Sequence, residues 1–187
     1  MVESYTTGCR RHLVERSDTT GYDVQTPRIP EGCQQPRIVM ASTFLALHYH
    51  IVFSTKDRIP FIDAAWRERL HEYLGGTVGG LGGFAQGVGG VADHVHLLVG
   101  LKATHCLFDF MRELKKASSV WVHEEIKLRE FAWQEGYGAF TVSPTARPQV
   151  QKYIANQAEH HRVKSFREEL VEFLKSTGVK YEDRYLD

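Results

Sequence analysis

The residues with the most chemical content are His94-Val95-His96, which lead into the apolar run Leu97-Leu98-Val99. Side chains of an extended strand alternate between faces with period two, so His94 and His96 project from one face and Val95 from the other. Two imidazoles at this spacing can share one divalent ion; two histidines on a solvated strand face have the same spacing. His48 and His50 form a second such pair. If the two strands are neighbours, all four rings are conceivable as a tetrahedral zinc site. Tyr153 and Gln157 lie four residues apart and share one face of a helix. With His94 and His96 they make a site of two imidazoles and one amide oxygen beside a phenol. Amide and water oxygens suit a hard ion such as Mg²⁺ or Mn²⁺. Taken alone, Tyr153 also reads as a partly buried aromatic on an amphipathic helix.

The elements that must position these groups follow from pattern. Phe44 to Thr55, FLALHYHIVFST, is β-branched and aromatic and reads as a buried strand, ended by Lys56-Asp57-Arg58 and Pro60. Asp63 is placed to cap a helix running through Trp66 and Leu70 to Leu74. Glycines punctuate residues 75–90, which predicts turns and one glycine-loosened strand around Phe84 to Val88. Val95 to Leu101 is a strong strand introduced by Asp93-His94. Leu107 to about Lys127 is helical, with an apolar stripe of Leu107, Phe110, Met111, Leu114 and Trp121. Phe140-Thr141-Val142 reads as a fourth strand. Pro148 opens a helix that carries Val150, Tyr153, Ile154 and Gln157. Ser165 to Ser176 is a last amphipathic helix, closed by Gly178. The order strand, helix, strand, strand, helix, strand, helix, helix predicts an α+β fold. It is of ferredoxin-like or RRM-like type, an antiparallel sheet with helices packed on one face.

Bulk composition sets bounds. Lys and Arg total 23 and Asp and Glu total 23 in 187 residues, so any nucleic-acid contact must come from local charge and not from the sum. Three cysteines, Cys9, Cys33 and Cys106, are too few and too scattered for a disulfide framework or a cysteine zinc site. Cys106 is expected to pack as a small apolar residue. No run of about 18 apolar residues is present, and polar residues interrupt the N-terminus, so no membrane partner and a cytoplasmic location are expected. Residues 1–40 are rich in Thr, Arg, Gly, Pro and Gln and lack periodicity. They read as a disordered extension, or as upstream sequence wrongly joined to a chain that starts at Met40. Residues 41–187 read as one domain.

Two segments, Asp93-His94-Val95-His96-Leu97-Leu98 and Tyr153-Ile154-Ala155-Asn156-Gln157, resemble the single-tyrosine HUH transposases of the smallest bacterial insertion sequences. (HUH denotes histidine, hydrophobic residue, histidine.) Tyr49-His50-Ile51-Val52-Phe53-Ser54-Thr55-Lys56 is similar to that family's first strand. Trp133-Gln134-Glu135-Gly136-Tyr137-Gly138-Ala139-Phe140 is similar to its segment before the tyrosine helix. The likeness runs in order from about Thr43 to the C-terminus. It implies that His94, His96 and Gln157 bind the metal and that Tyr153 is the nucleophile. It also implies single-stranded DNA, with hairpins at the element's ends, as substrate, and a homodimer as the working form. The related REP-associated tyrosine transposases share the histidine pair, but Gln157 after Asn156 fits the insertion-sequence group better.

Candidate DNA-contacting cations are Arg112, Lys115 and Lys116 on the central helix and Lys152 beside Tyr153, with Arg162, Lys164 and Arg167 nearby. A solvated helix surface has the same composition. His160, seven residues after Tyr153, reads either as facing the site or as a surface residue. Asp93 is expected to point away from the paired histidines, and no general base for Tyr153 is evident. Two other readings stay open: a non-catalytic module that grips hairpin DNA, and a metallohydrolase built from His48, His50, His94 and His96. The first would bind DNA regardless of Tyr153, and the second would use activated water.

Overall fold

The computed structural model describes residues 43–161 and 165–183, plus a two-residue pairing of Leu13–Val14 with Thr26–Pro27. The reading of residues 1–40 as disordered or misassigned therefore lies outside the described residues, apart from that pairing. The chain divides into two units, Met1–Thr43 and Phe44–Asp187. The second carries everything below.

Its sheet has four antiparallel strands: β1 (His48–Ser54), β2 (Phe84–Gly90), β3 (His94–Gly100) and β4 (Gly138–Thr141). They lie in the order β2-β3-β1-β4. The helices α1 (Ala64–Gly80) and α2 (Leu107–Trp121) cross between strands and cover one face. This is the expected ferredoxin-like α+β arrangement. Alternation decides the faces: Ile51, Phe53, Val95, Leu97 and Val99 meet Trp66, Leu70, Leu74 and Val78 of α1 and Phe110, Met111 and Leu114 of α2. Each fully buried aliphatic here contributes about 1.5–3 kcal/mol of transfer free energy.

The opposite face is also covered, beyond the single helical layer expected. The helices α3 (Arg147–Ala155) and α5 (Phe166–Thr177) lie on it, joined through the short α4 (Gln157–His160). Val52 and Phe140 pack with Phe166 and Leu174 of α5, and Leu98 packs with Val142 and Ile154 of α3. Ser165 caps α5 reciprocally with Glu168, and Gly178 ends it with φ 69°.

Two sequence expectations change. The first helix does not stop at Leu74 but runs through four glycines to Gly80. Leu74 and Val78, one turn apart and fully buried, carry it on, because tertiary burial outweighs the roughly 1 kcal/mol helix penalty of a glycine. The glycine-rich β2 is as long as β1 and β3, pairing with β3 along its length with one register shift between Ala85 and Gly87. Its glycines serve packing: a Cβ on Gly89 would lie 2.2 Å from the carbonyl oxygen of Ile154. Only glycine lets α3 approach the sheet this closely.

Candidate active site

His94 and His96 extend from the face of β3 that α3 and α5 cover, and both are fully buried. Each ring is held by its Nδ1. His94 Nδ1 donates to Asp93 Oδ1 at 2.8 Å. Asp93 was expected to point away, but β3 begins only at His94, so strand alternation does not govern the bend before it. His96 Nδ1 lies 2.9 Å from His50 Nε2, which sits diagonally across on β1. These contacts leave both Nε2 atoms facing the same pocket, the arrangement that orients imidazoles for a metal. Burial pushes His96 well below the ordinary histidine range, with His94, His50 and His161 adding to the shift. Burial alone brings His50 down to about 4. Both rings are thus neutral near pH 7, the form in which a histidine ligates.

Tyr153 and Gln157 were expected on one helix. The backbone breaks between them at Asn156 (φ −100°, ψ 18°), so Tyr153 lies in the last turn of α3 and Gln157 opens α4. Both still face the histidines. The Tyr153 ring stands edge-on to His96 at 5.8 Å and to His50 at 6.0 Å between centroids. Its hydroxyl is buried without a hydrogen-bond partner among the described residues. Gln157 is buried, and its Nε2 donates to Glu169 Oε1 at 3.3 Å while its Oε1 has no partner among the described residues. His160 stands edge-on to Tyr153 at 5.1 Å, facing the site.

Two further groups, His161 and Glu169, were given no role by the sequence reading. His161 Nε2 lies 3.0 Å from His94 Nε2 and 3.1 Å from Glu169 Oε2. Glu169, 3% exposed, also places Oε2 3.5 Å from His96 Nε2. Burial raises its carboxyl to about 8, and Glu172 and Asp93 add to the shift. The signal was available: Glu169 sits inside the apolar stripe Phe166, Leu170, Phe173, and a carboxylate on a buried helix face needs a partner.

Other candidates fall elsewhere. His48 pairs with Gly100 and His94 with Ser54, about 20 Å apart along the sheet. The His48 ring bonds Gln86 instead, at 2.9 Å, so the four-histidine site does not assemble. Arg112, Lys115 and Lys116 lie on α2, which packs on the sheet face opposite Tyr153. Arg112 bonds Asp109 and Glu113. Lys115 Nζ donates to the carbonyls of Gln134, Glu135 and Gly136 at 2.8, 3.2 and 2.6 Å, and burial lowers its pKa to about 8. Lys116 and Lys152 are exposed, Lys152 on α3 next to Tyr153. Arg162 and Lys164 lie outside the described residues. Arg167 meets Asp183 at 3.3 Å. Cys106 is exposed at the start of α2, not packed inside, because the buried stripe begins at Phe110.

The pocket suits a divalent cation. Among the described residues His96 Nε2 and Gln157 Oε1 are buried without hydrogen-bond partners, a cost a bound ion would remove. No helix among the described residues is long and apolar enough to cross a membrane.

Fold and site together define an α+β domain with a histidine-lined polar pocket beside a helix-borne tyrosine. The chain belongs to the family described as "Transposase IS200 like", whose sequence profile matches residues 43–157, more than half of its length. It is 28% identical over 117 residues to the ISDra2 transposase TnpA of Deinococcus radiodurans, covering 59% of this chain and 84% of that one. A crystal structure of a Deinococcus radiodurans R1 protein described as a transposase is 27% identical, with TM-score 0.49, over 63% of this chain and 95% of the other. A REP-associated tyrosine transposase bound to a REP hairpin is 12% identical, with TM-score 0.49, over 65% and 74%. The chain is thus a DNA transposase, and DNA is its partner.

Proposed function

We propose that this transposase cleaves and rejoins single-stranded DNA through a 5′-phosphotyrosine on Tyr153. His94, His96 and Gln157 would hold a divalent metal, Mg²⁺ or Mn²⁺ in the expected form. The observation that carries the reading is the placement of Tyr153, its hydroxyl buried without a hydrogen-bond partner among the described residues and its ring edge-on to His96. Tyr153 Oη attacks the scissile phosphorus, the bond to the leaving 3′-oxygen breaks, and the phenol proton, exchanged through solvent, ends on that oxygen as a 3′-hydroxyl. The new phosphotyrosine ester keeps the energy of the broken bond, so the reverse attack by a 3′-hydroxyl reseals the strand without ATP. A bound dication would offset negative charge on the phosphate oxygens. Lys152, exposed one residue before Tyr153, would meet the DNA backbone.

Within one chain the Tyr153 ring stands beside His96 and His50, which supports a site assembled in cis. The homodimer is a separate part of the proposal, as is folding of residues 41–187 as one domain. The test is incubation with labelled single-stranded DNA from the flanks of the gene, with Mn²⁺, followed by denaturing electrophoresis. A DNA–protein adduct that disappears in Tyr153→Phe and His94→Ala is expected. Nicked product without adduct would instead favour water as nucleophile. DNA binding that is indifferent to Tyr153→Phe, with no cleavage in any metal, would favour a binding module.

A further inference from the structure

The matched family region ends at Gln157, yet the pocket does not. His161, in the turn after α4, and Glu169, on α5, lie beyond it and point into the same pocket as His94 and His96. One donor atom from each of these four residues lies within 4.8 Å of the other three. The closest approaches are 3.0 Å for His94 with His161, 3.1 Å for His161 with Glu169 and 3.5 Å for His96 with Glu169. Four ligands about 2.0–2.1 Å from a tetrahedral ion stand about 3.4 Å apart, close to these three separations. His96 Nε2 is buried without a hydrogen-bond partner among the described residues, and Glu169 Oε2 has the imidazoles of His161 and His96 as its nearest polar neighbours. Asp93 and His50 hold the rings of His94 and His96 from behind.

We infer that His161 and Glu169 complete the metal centre, so that this chain binds its ion through three imidazoles and one carboxylate, the carboxylate supplied by the C-terminal helix. The inference rests on the metal-dependent reading of the pocket, extends it to a segment outside the family's matched region, keeps Mn²⁺ of the two ions proposed above, and moves Gln157 from ligand to the residue that orients Glu169. Gln157, whose amide donates to Glu169, orients that carboxylate and keeps its own oxygen turned to the pocket. Three nitrogen donors in a compact shell suit a transition dication such as Mn²⁺, Co²⁺ or Zn²⁺, whereas Mg²⁺ prefers six oxygens and retains water. The centre is therefore selective for the transition series over Mg²⁺.

The test is titration of the full chain with Mn²⁺, following the paramagnetic resonance signal of the free ion, with Mg²⁺ as competitor. Expected are one site per chain, a loss of Mn²⁺ affinity of at least about 10-fold in Glu169→Gln and in His161→Ala, and no displacement by 100-fold excess Mg²⁺. With Co²⁺, the strong visible absorption of a four-coordinate ion should appear in the wild type and weaken in both variants. Wild-type Mn²⁺ affinity in both variants, with binding lost in His94→Ala, would overturn the inference and leave the ion to His94, His96 and Gln157. Displacement by Mg²⁺ would overturn the selectivity. His161 is at the pocket rim, so His161→Ala decides the matter if Glu169→Gln does not fold. Adduct formation is read separately: metal bound as inferred but no tyrosine adduct would count against the proposed chemistry and not against the ligand set.

Discussion

His94 and His96 act through neighbours that fix their rings. Asp93 and His50 each engage an Nδ1 and leave the opposite nitrogen facing the pocket. Removing such a supporting contact typically costs 10–100-fold in metal affinity. Asp93→Ala and His50→Ala are each expected to weaken Mn²⁺ binding by about that factor in calorimetric titration; unchanged affinity in both would deny them an orienting role. Residue-scale burial also predicts acid sensitivity. Burial holds His50 and His71 at about 4, against 6.5 for the free side chain, and Arg67 adds to the shift at His71. The fold favours the neutral rings, so as the pH falls the unfolded chain takes up protons first. Their contribution is intact above pH 6.5 and is lost as the pH falls from 6.5 towards 4, by up to about 3 kcal/mol for each ring. Glu169 works in the opposite sense: its raised pKa makes stability fall as the pH rises from 4.5 to about 8. His71, on α1 away from the pocket, reports the histidine effect more cleanly. Urea unfolding of the metal-free chain at pH 7 and pH 4.5 should show a smaller difference in His71→Leu than in the wild type.

At the scale of elements, β2 and α3 depend on each other. A Cβ at Gly89 would meet the Ile154 carbonyl at 2.2 Å and Ile154 Cγ2 at 3.0 Å, and the backbone atom cannot swing aside. Gly89→Ala must therefore push the tyrosine helix off the sheet. The expected cost is about 1–3 kcal/mol of stability, together with a loss of adduct formation larger than that destabilisation explains. Gly76→Ala is the control: among the described residues nothing lies within 4 Å of its added Cβ, and it sits inside α1. It should stabilise the chain by about 0.5–1 kcal/mol and leave the adduct yield alone. Thermal melts with adduct assays of both variants would check this pair. Equal effects at both positions would mean that the close approach of α3 does not matter.

At the scale of the molecule, the unit Phe44–Asp187 contains the sheet, both helical layers and the whole pocket. A chain lacking residues 1–42 is expected to melt within about 2 °C of the full chain and to retain tyrosine adduct formation. A large drop in either would show that the first unit contributes to the second. The proposed homodimer is checked by light scattering across a dilution series, where a mass of one chain throughout would remove it.

Local rules carried much of this molecule. Period-two alternation put His94 and His96 on one face, Asp63 and Gly178 marked helix ends, and Tyr153 and Gln157 at a four-residue spacing did reach one pocket despite the break at Asn156. The order of strands and helices was enough for the ferredoxin-like sheet. What the sequence could not decide depended on contacts between distant segments. His48 and His94 have equally good local patterns, and only strand register sets them at opposite ends of β1 and β3. Glycines that weaken β2 locally are what admit α3 in three dimensions. Lys115 has the look of a surface cation until the chain around Gln134 folds over it. Glu169 joins the histidines because α5 returns across the sheet, a placement fixed by burying Phe166 and Leu174 against Val52 and Phe140. Periodicity tells which face of an element is buried; which other element covers that face is settled by long-range packing.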